Sequence, residues 1–343
     1  MQFDAYGANL PLEHAARIAR AVEELGCSGI WFTETQRPPE LACAVAAEAT
    51  DVVTIGTAIT VAFPRSPMVT AQAAWELARA SGGRFSLGLG AQVKAHIERR
   101  FSMPYEHPGP KLRDYVLAMR AIFRAFQGEA PLRYEGDFYS FSLLTDFFSP
   151  GPHDFPDVPI SVAGVNRGMA RLAGEVFDGF QVHPFHSRRY LDECILPAIS
   201  EGAARVGRDA RDVEIICPVF MIVGDTEAER APMRESVRRQ LSFYGSTRTY
   251  RPVFELHGWG ETSDTLHQAM AAGDTDTMTA AIADEMLDEY SVTATWGDLA
   301  DQLLARYDGV VDRIFSYQPA AEWLRSTELT ERWRVVAARI NQG

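Results

Sequence analysis

The sequence predicts an α/β fold, a single (β/α)8 TIM barrel spanning residues 1–343, on three observations. Short apolar runs rich in β-branched residues recur eight times, as expected for parallel strands buried on both faces. Amphipathic helical patterns separate these runs, which is typical of repeated βαβ units. An open doubly wound sheet usually has fewer strands per domain, so eight repeats favour a closed barrel.

The repeat is clearest between residues 52 and 96. Residues 54–60 form an apolar, β-branched run. Ser66 and Pro67 then supply a helix N-cap and a first-turn proline, and apolar residues recur at helical spacing until two glycines end the helix. Residues 85–89 form the next strand, and the glycines at its end leave the backbone open to close approach by a flat ligand.

The other elements follow the same pattern in chain order. The predicted strands are residues 3–6, 28–33, 54–60, 85–89, 158–163, 178–182, 213–223 and 310–317. The predicted helices are residues 9–25, 39–50, 66–81, 111–126, 166–174, 187–206, 225–243, 298–307 and 329–340.

Some stretches depart from this repeat. Residues 132–141 predict a hairpin, residues 149–159 a loop, and a linker containing His96 follows the fourth strand. Residues 252–305 contain no Lys or Arg and many carboxylates. This composition predicts a helical insertion with an acidic face before the last strand. The predicted bounds of the insertion are residues 244–295.

Composition excludes several function classes. The net charge of −13 is not offset by any long basic run, which argues against nucleic acid or an anionic membrane as a partner. The four cysteines form no C-x-x-C pair, so we expect a reduced cytoplasmic protein and neither a disulfide scaffold nor a zinc ribbon. The sequence shows no signal-peptide pattern and no run of about 18 apolar residues, so we expect neither secretion nor membrane spanning.

Several motifs, in the right order, resemble the bacterial-luciferase-like superfamily of flavin and deazaflavin oxidoreductases. They are SGIWFTE, GTAITVAFPRSPMVTAQAAWELA, GGRFSLGLG and VAGVNRGMARLAGEVFDGF. More narrowly, GLGAQVKAHIERRF and HPFHSRRYL resemble a branch of coenzyme F420-dependent oxidoreductases. The resemblance runs from about residue 3 to residue 339 and is weakest between residues 246 and 294.

The resemblance implies that the barrel holds the deazaflavin of coenzyme F420 at the carboxyl ends of its strands, with hydride moving at carbon 5 of the ring. The cofactor carries the chemistry, and the protein places it against a small-molecule substrate. A non-prolyl cis peptide between Ala58 and Ile59 is expected against the ring. Glu34 matches an acidic position that contacts the cofactor and is a candidate catalytic residue, with a helix-capping surface carboxylate as the alternative. Thr35 stands where sugar-phosphate-oxidising members have a proposed histidine base, which argues against that reaction.

Further candidates follow the fourth strand, where the family builds part of its pocket. Gln92 and Lys94 are predicted to bind cofactor, and His96 is a candidate catalytic residue. The alternative for Lys94 and His96 is a solvated loop.

Two later strand ends complete the prediction. Gly164, Val165, Asn166 and Arg167 precede a helix whose amino end suits the cofactor phosphate, the alternative being an ordinary N-cap. His183 is the candidate proton donor at the next strand end. The residues predicted to lie near the cofactor tail are His186, Ser187 and Arg188.

Alternatives of other classes remain open. The same barrel accommodates FMN in two-component monooxygenases, and a barrel can also bind a ligand without turnover. No metal site is predicted, because the two histidines near residue 183 have no third ligand nearby. Dimerisation is common in the resembled family, and no stretch of the sequence requires it. Neither the substrate nor the direction of hydride transfer follows from the residues.

Overall fold

A computed structural model describes residues 1–342 and has eight parallel strands in a closed barrel. The strands are Gln2–Gly7, Gly29–Phe32, Thr54–Thr57, Phe85–Gly90, Ile160–Gly164, Gly179–Val182, Glu214–Val223 and Arg313–Pro319. Each pairs with the next, and the eighth pairs with the first, so the barrel closes. The predicted (β/α)8 barrel is confirmed.

Helices cover the outside of the barrel. The longer ones are Leu12–Leu25, Pro39–Ala49, Pro67–Ala80, Pro108–Phe126, Arg167–Val176, Leu196–Arg205, Glu227–Gly245, Gly260–Ala272, Leu299–Tyr307 and Thr327–Asn341. The shorter ones are Lys94–Arg99, Arg188–Tyr190, Arg251–Glu255, Thr275–Ala280, Asp284–Tyr290 and Ala320–Trp323. Ser66 caps its helix by accepting from the Met68 N–H, as its position predicted. No helix in residues 1–342 is both long and apolar enough to cross a membrane.

Two helical segments differ from the prediction. The stretch containing His96, predicted as a linker, forms the helix Lys94–Arg99. The predicted long helix 187–206 contains a π-helical turn at Leu191–Ile195. Pro197 follows this turn, and because proline has no N–H it cannot bond to the carbonyl four residues earlier.

The segment predicted as a helical insertion also contains a strand, Ser291–Ala294. It pairs in parallel with the outer end of the seventh barrel strand, from Phe220 to Val223. The seventh strand has ten residues, and its inner half pairs with the eighth strand, so its outer half needs another partner. Four residues are too few to show a period, which is why the pattern missed this strand. The single-domain assignment stays a prediction.

The barrel interior is filled by side chains. Tyr6, Trp31, Ile216 and Phe315 form a buried cluster there. A Cβ on Gly56 would lie 2.2 Å from the Trp31 ring, so this wall position requires a residue without a side chain. At the amino-terminal base, the carboxylate of Asp4 accepts from Trp31 Nε1 at 2.8 Å and pairs with Arg313.

Candidate functional site

The third barrel strand is interrupted at the carboxyl-terminal mouth. The strand stops at Thr57 and resumes as Thr60–Val61, and the Ala58–Ile59 peptide between them is cis. The predicted non-prolyl cis peptide is therefore present. The Ala58 N–H donates to the Phe32 carbonyl at 2.7 Å. Ala58 packs against the aromatic cluster of the barrel interior, so the bulge forms part of the floor of the mouth.

Glu34 holds this bulge from the neighbouring strand end. Its N–H donates to the Ile59 carbonyl at 3.2 Å, and its carboxylate accepts from the Val61 N–H at 2.7 Å. Arg65 donates to the same carboxylate at 2.9 and 3.1 Å. Burial raises the pKa of Glu34, while the Val61 N–H and the Arg65 guanidinium oppose the rise. Glu34 thus positions the backbone on both sides of the bulge, and its contact with a cofactor stays a prediction.

Four tyrosines line another side of the mouth, and we call them the tyrosine wall: Tyr6, Tyr244, Tyr250 and Tyr317. The hydroxyls of Tyr244 and Tyr317 are 2.9 Å apart, and the Tyr317 ring stacks on Tyr6 at 5.0 Å. Burial raises the pKa of all four phenols, that of Tyr244 to about 12. The wall is therefore uncharged at neutral pH.

His183 lies against this wall, with its ring 4.6 Å from that of Tyr244 and 4.9 Å from that of Tyr250. The Phe185 N–H donates to His183 Nδ1 at 3.1 Å. Because Nδ1 accepts this bond, the ring proton of the neutral imidazole is on Nε2. Burial, helped by nearby His186, lowers the pKa of His183 to about 3. The side chain is therefore a neutral hydrogen-bond donor at physiological pH and not an imidazolium acid.

The side chains of His186, Ser187 and Arg188 are engaged in contacts inside the protein. His186 Nδ1 donates to the His183 carbonyl at 2.9 Å, and its Nε2 lies 3.3 Å from the Tyr307 hydroxyl. Ser187 caps a helix by accepting from the Tyr190 N–H at 3.0 Å. Arg188 donates to Asp192 at 2.9 Å and to the Arg306 carbonyl. Each of these side chains therefore already has a partner within the protein. Their predicted contacts with the cofactor stay predictions.

The fifth strand ends where the helix Arg167–Val176 begins. Asn166 caps this helix by accepting from the Met169 N–H at 3.4 Å, and Val165 is buried. A Cβ on Gly164 would lie 2.4 Å from Met169 Cβ, so glycine lets the strand approach the helix. The ordinary N-cap is thus present. The amino end of this helix also faces the mouth, because it directly follows the carboxyl end of a barrel strand, so the N-cap does not exclude a bound phosphate. The phosphate role stays a prediction.

The residues after the fourth strand are more exposed. Gln92 has a positive φ of 57°, and its side chain accepts from the Val93 N–H at 3.0 Å. Lys94 and His96 are exposed on their short helix, and Lys94 lies 3.7 Å from Glu98. Thr35 donates its hydroxyl to Asn9. The structure does not bring His96 into contact with the tyrosine wall or with Glu34.

The glycines that end the fourth strand do not leave free space, contrary to our expectation. A Cβ on Gly88 would lie 2.0 Å from the Thr57 carbonyl oxygen and 2.1 Å from Gln181 Nε2. A Cβ on Gly90 would lie 2.6 Å from Ile59 Cδ1. Packing against the third strand therefore requires glycine at position 88, whereas at position 90 a side chain would displace the tip of Ile59. A sequence pattern alone could not distinguish this close packing from an opening for a ligand.

Sequence reasoning missed Arg65 and most of the tyrosine wall. Tyr6 and Tyr317 are the last residues of predicted strands, which are the only signals that pointed to the wall. Tyr244 and Tyr250 belong to the helical segment that follows the seventh strand, and Tyr250 lies where the resemblance is weakest. Their contacts with His183 come from tertiary folding, and no residue spacing encodes them.

Acid should destabilise the fold through the two histidines at the mouth. Burial lowers the pKa of His183 to about 3 and of His186 to about 4, below the unfolded value of 6.5. The unfolded chain therefore binds more protons below about pH 6.5, so stability is lost on acidification. Between pH 7.5 and 5.5 we expect a loss of about 1 kcal/mol per histidine, measured by urea unfolding.

His186→Gln should reduce this difference between the two pH values, whatever its effect on stability at pH 7.5. His14→Gln, which replaces an exposed histidine, serves as the matched control and should leave the difference unchanged. Equal free energies of unfolding at pH 7.5 and 5.5 in the unmodified protein would contradict the burial of both imidazoles in neutral form.

A family model described as luciferase-like monooxygenase matches residues 2–313. The chain belongs to this family. The chain is 42% identical to an uncharacterized protein of Mycobacterium tuberculosis, over 90% of this chain and 91% of the relative. It is also 27% identical to the 5,10-methylenetetrahydromethanopterin reductase of Archaeoglobus fulgidus, over 85% of this chain and 84% of that protein.

Solved structures agree on the fold. The coenzyme F420 dependent tetrahydromethanopterin reductase of Methanopyrus kandleri matches with a TM-score of 0.77 and 18% identity, covering 99% of this chain and 98% of that one. The oxygenating constituent of 3,6-diketocamphane monooxygenase from Pseudomonas putida, a complex with FMN, matches with a TM-score of 0.67 and 15% identity, covering 99% and 98%. At these identities the likeness shows the luciferase-like barrel and leaves the cofactor open.

Proposed function

We propose that this protein is a coenzyme F420-dependent oxidoreductase that transfers hydride between the deazaflavin ring and a small organic substrate. The observation that carries the proposal is the bulge at Ala58 and Ile59, where the third strand is interrupted at the barrel mouth and where the resembled family places the ring. The small side chain of Ala58 and the aromatic floor beneath it suit a flat ring. The relationship to a reductase of Archaeoglobus fulgidus supports reduction chemistry.

The chain has candidate residues for binding both the ring and the phosphate of such a cofactor. Ala58 and Ile59 would support the ring, and Glu34 with Arg65 would keep their backbone in place. The helix amino end at Asn166 and Arg167 would hold the phosphate. When bound, the deazaflavin supplies or accepts the hydride. The protein's remaining tasks are to exclude water at the mouth and to provide hydrogen bonds to the substrate.

The second candidate function is an FMN-dependent monooxygenase supplied by a separate reductase. It is favoured by the FMN complex among the structural neighbours, which has the same barrel. A barrel that binds a ligand without turnover is the third. The predicted cytoplasmic location accords with four free cysteines, and homodimerisation stays a prediction.

Titration of the purified protein with coenzyme F420 and with FMN, followed by fluorescence, tests the proposal. We expect F420 to bind at least tenfold more tightly than FMN. Preference for FMN would favour the monooxygenase, and binding of neither cofactor would favour the third function. Either result would overturn the proposal.

A matched pair of arginine variants tests the phosphate position. Arg167 and Arg205 both lie within 4.0 Å of Glu201, but only Arg167 is in the first turn of the helix that faces the mouth. Arg167→Gln should weaken F420 binding about tenfold, because a charge-assisted hydrogen bond is lost. Arg205→Gln should change binding less than twofold. Equal effects of the two variants would place the phosphate elsewhere.

A further inference from the structure

The tyrosine wall and His183 form an uncharged surface at the mouth. The phenols and the imidazole are neutral at pH 7, as shown above. The titratable group that influences the imidazole is His186, and the one that influences Tyr250 is Tyr105. Tyr244 and Tyr317 are influenced by each other, by Tyr6 and by Tyr250. Arg248 and Arg251, which flank the wall's Tyr250, both pair with Asp264. Residues 252–305, which follow, contain no Lys or Arg. An anionic substrate would therefore lose hydration here without gaining a counter-ion.

The same surface keeps hydrogen-bond donors available. Either oxygen can donate in the bond between the Tyr244 and Tyr317 hydroxyls. Tyr317 is also hydrogen-bonded to Tyr6, and when Tyr6 donates to Tyr317 and Tyr317 donates to Tyr244, the Tyr244 O–H is left unused. His183 carries its proton on Nε2, because the Phe185 N–H occupies Nδ1. Two neutral donors thus lie on adjacent rings that are 4.6 Å apart.

The aromatic rings also favour a particular shape of ligand. His183 meets Tyr244 edge-on and lies at 4.9 Å from Tyr250, and Phe220 meets Tyr317 edge-on at 5.4 Å. His183, Tyr244, Tyr250 and Tyr317 are each half-buried, so each keeps some solvent-accessible surface. Flat conjugated molecules gain most from contact with such rings, because aromatic pairs add to the burial of apolar area.

We propose that the tyrosine wall binds an uncharged, planar, conjugated carbonyl compound, whose oxygen accepts from His183 Nε2 and from the Tyr244 hydroxyl. The proposal rests on the proposed function for its chemistry. Reduced deazaflavin, if bound as proposed, would supply a hydride to the carbon β to the carbonyl. The π electrons would shift to give an enolate with its negative charge on the oxygen, and the α carbon would then take a proton from water. The two donors stabilise the negative charge that develops on that oxygen.

Binding to the cofactor-free protein tests the proposal with three probes of nearly equal shape. They are 2-acetylnaphthalene, which has a neutral carbonyl, 2-naphthoate, which is anionic, and 2-ethylnaphthalene, which has no oxygen. Calorimetric titration should show the ketone binding at least tenfold more tightly than the other two. Its affinity should be constant from pH 6 to pH 9, because no group of the wall titrates there. Binding of naphthoate equal to that of the ketone would overturn the proposal.

Two tyrosine variants distinguish the effect of the Tyr244 hydroxyl as a hydrogen-bond donor from the effect of aromatic packing. Tyr244→Phe keeps the ring and should weaken ketone binding about tenfold, while leaving ethylnaphthalene binding unchanged. Tyr139→Phe alters a half-buried tyrosine of the hairpin and should change neither. Retention of the ketone preference by Tyr244→Phe would refute the role of the hydroxyl.

The F420 titration distinguishes failure of this inference from failure of the proposed function. If F420 binds and the ketone does not, the wall has another ligand and the cofactor assignment stands. If the ketone binds and F420 does not, the proposed function fails and the wall remains a binding site. Unchanged F420 affinity in Tyr244→Phe would show that the variant is folded at the mouth.

Discussion

Replacing Arg313 by methionine is expected to lower the free energy of unfolding by about 3–5 kcal/mol, because it leaves a buried carboxylate without its counter-charge. Asp4 is fully buried in the first strand, and Arg313 Nη1 approaches its two oxygens at 3.1 and 3.2 Å. The same guanidinium donates to Glu214 at 2.7 Å and to Thr54 at 3.2 Å. One side chain thus links the first, third, seventh and eighth strands. Urea unfolding at pH 7.5 measures the loss.

The double variant Asp4→Asn with Arg313→Met removes both charges. It should recover most of the lost stability, because the cost comes from the unpaired carboxylate and not from the missing contact. Arg211→Met is the matched surface control. Its partner Asp209 is exposed, and the change should stay within about 0.5 kcal/mol. A loss for Arg313→Met no larger than for Arg211→Met would contradict the argument.

The barrel could be predicted from the sequence because its signals are local. Apolar runs and helical periodicity place the second strand at residues 28–33, and the structure has Gly29–Phe32. The cap formed by Ser66 and Pro67 starts a helix at Pro67. Such signals depend on neighbours within about four residues and need no knowledge of the tertiary fold.

The bulge could be predicted only through resemblance. Ala58 and Ile59 are ordinary apolar residues, and their pattern continues that of a regular strand. The interactions that surround the bulge come from other segments, such as Glu34 and the Phe32 carbonyl. No spacing rule relates these residues to the bulge.

Side chains at the site were harder to assign because their partners are distant in the chain. Ser187 lies 2.8 Å from His257 Nε2, across 70 residues. The Tyr244 and Tyr317 hydroxyls meet across 73 residues. Two histidines three residues apart, such as His183 and His186, therefore predict functional groups without showing which ring faces the mouth. Backbone hydrogen bonds determine the orientation of each ring, because they direct His186 inward and leave His183 Nε2 free to donate.

Glu34 is where the fold and the proposed function meet. Its carboxylate accepts the Val61 N–H, while its own N–H binds the Ile59 carbonyl. Removing the carboxylate leaves a buried N–H without its acceptor and removes one of the two carboxylates that Arg65 contacts. The backbone that the ring is proposed to contact should then lose its fixed position. An effect on cofactor binding is thus expected even if Glu34 never touches the cofactor.

Glu34→Ala is therefore expected to weaken F420 binding by about 10- to 100-fold, which corresponds to the loss of a buried, charge-assisted hydrogen bond. Glu34→Gln should lose less, because its amide oxygen can still accept the Val61 N–H. Glu40→Gln is the matched control. Glu40 also approaches Arg65, at 3.4 Å, but binds the Thr60 hydroxyl and not the bulge backbone. Fluorescence titration of the four proteins should rank their affinities as unmodified protein, Glu40→Gln, Glu34→Gln and Glu34→Ala. If Glu34→Ala bound F420 as tightly as Glu40→Gln, the bulge would not depend on this carboxylate, and another group would have to hold the site.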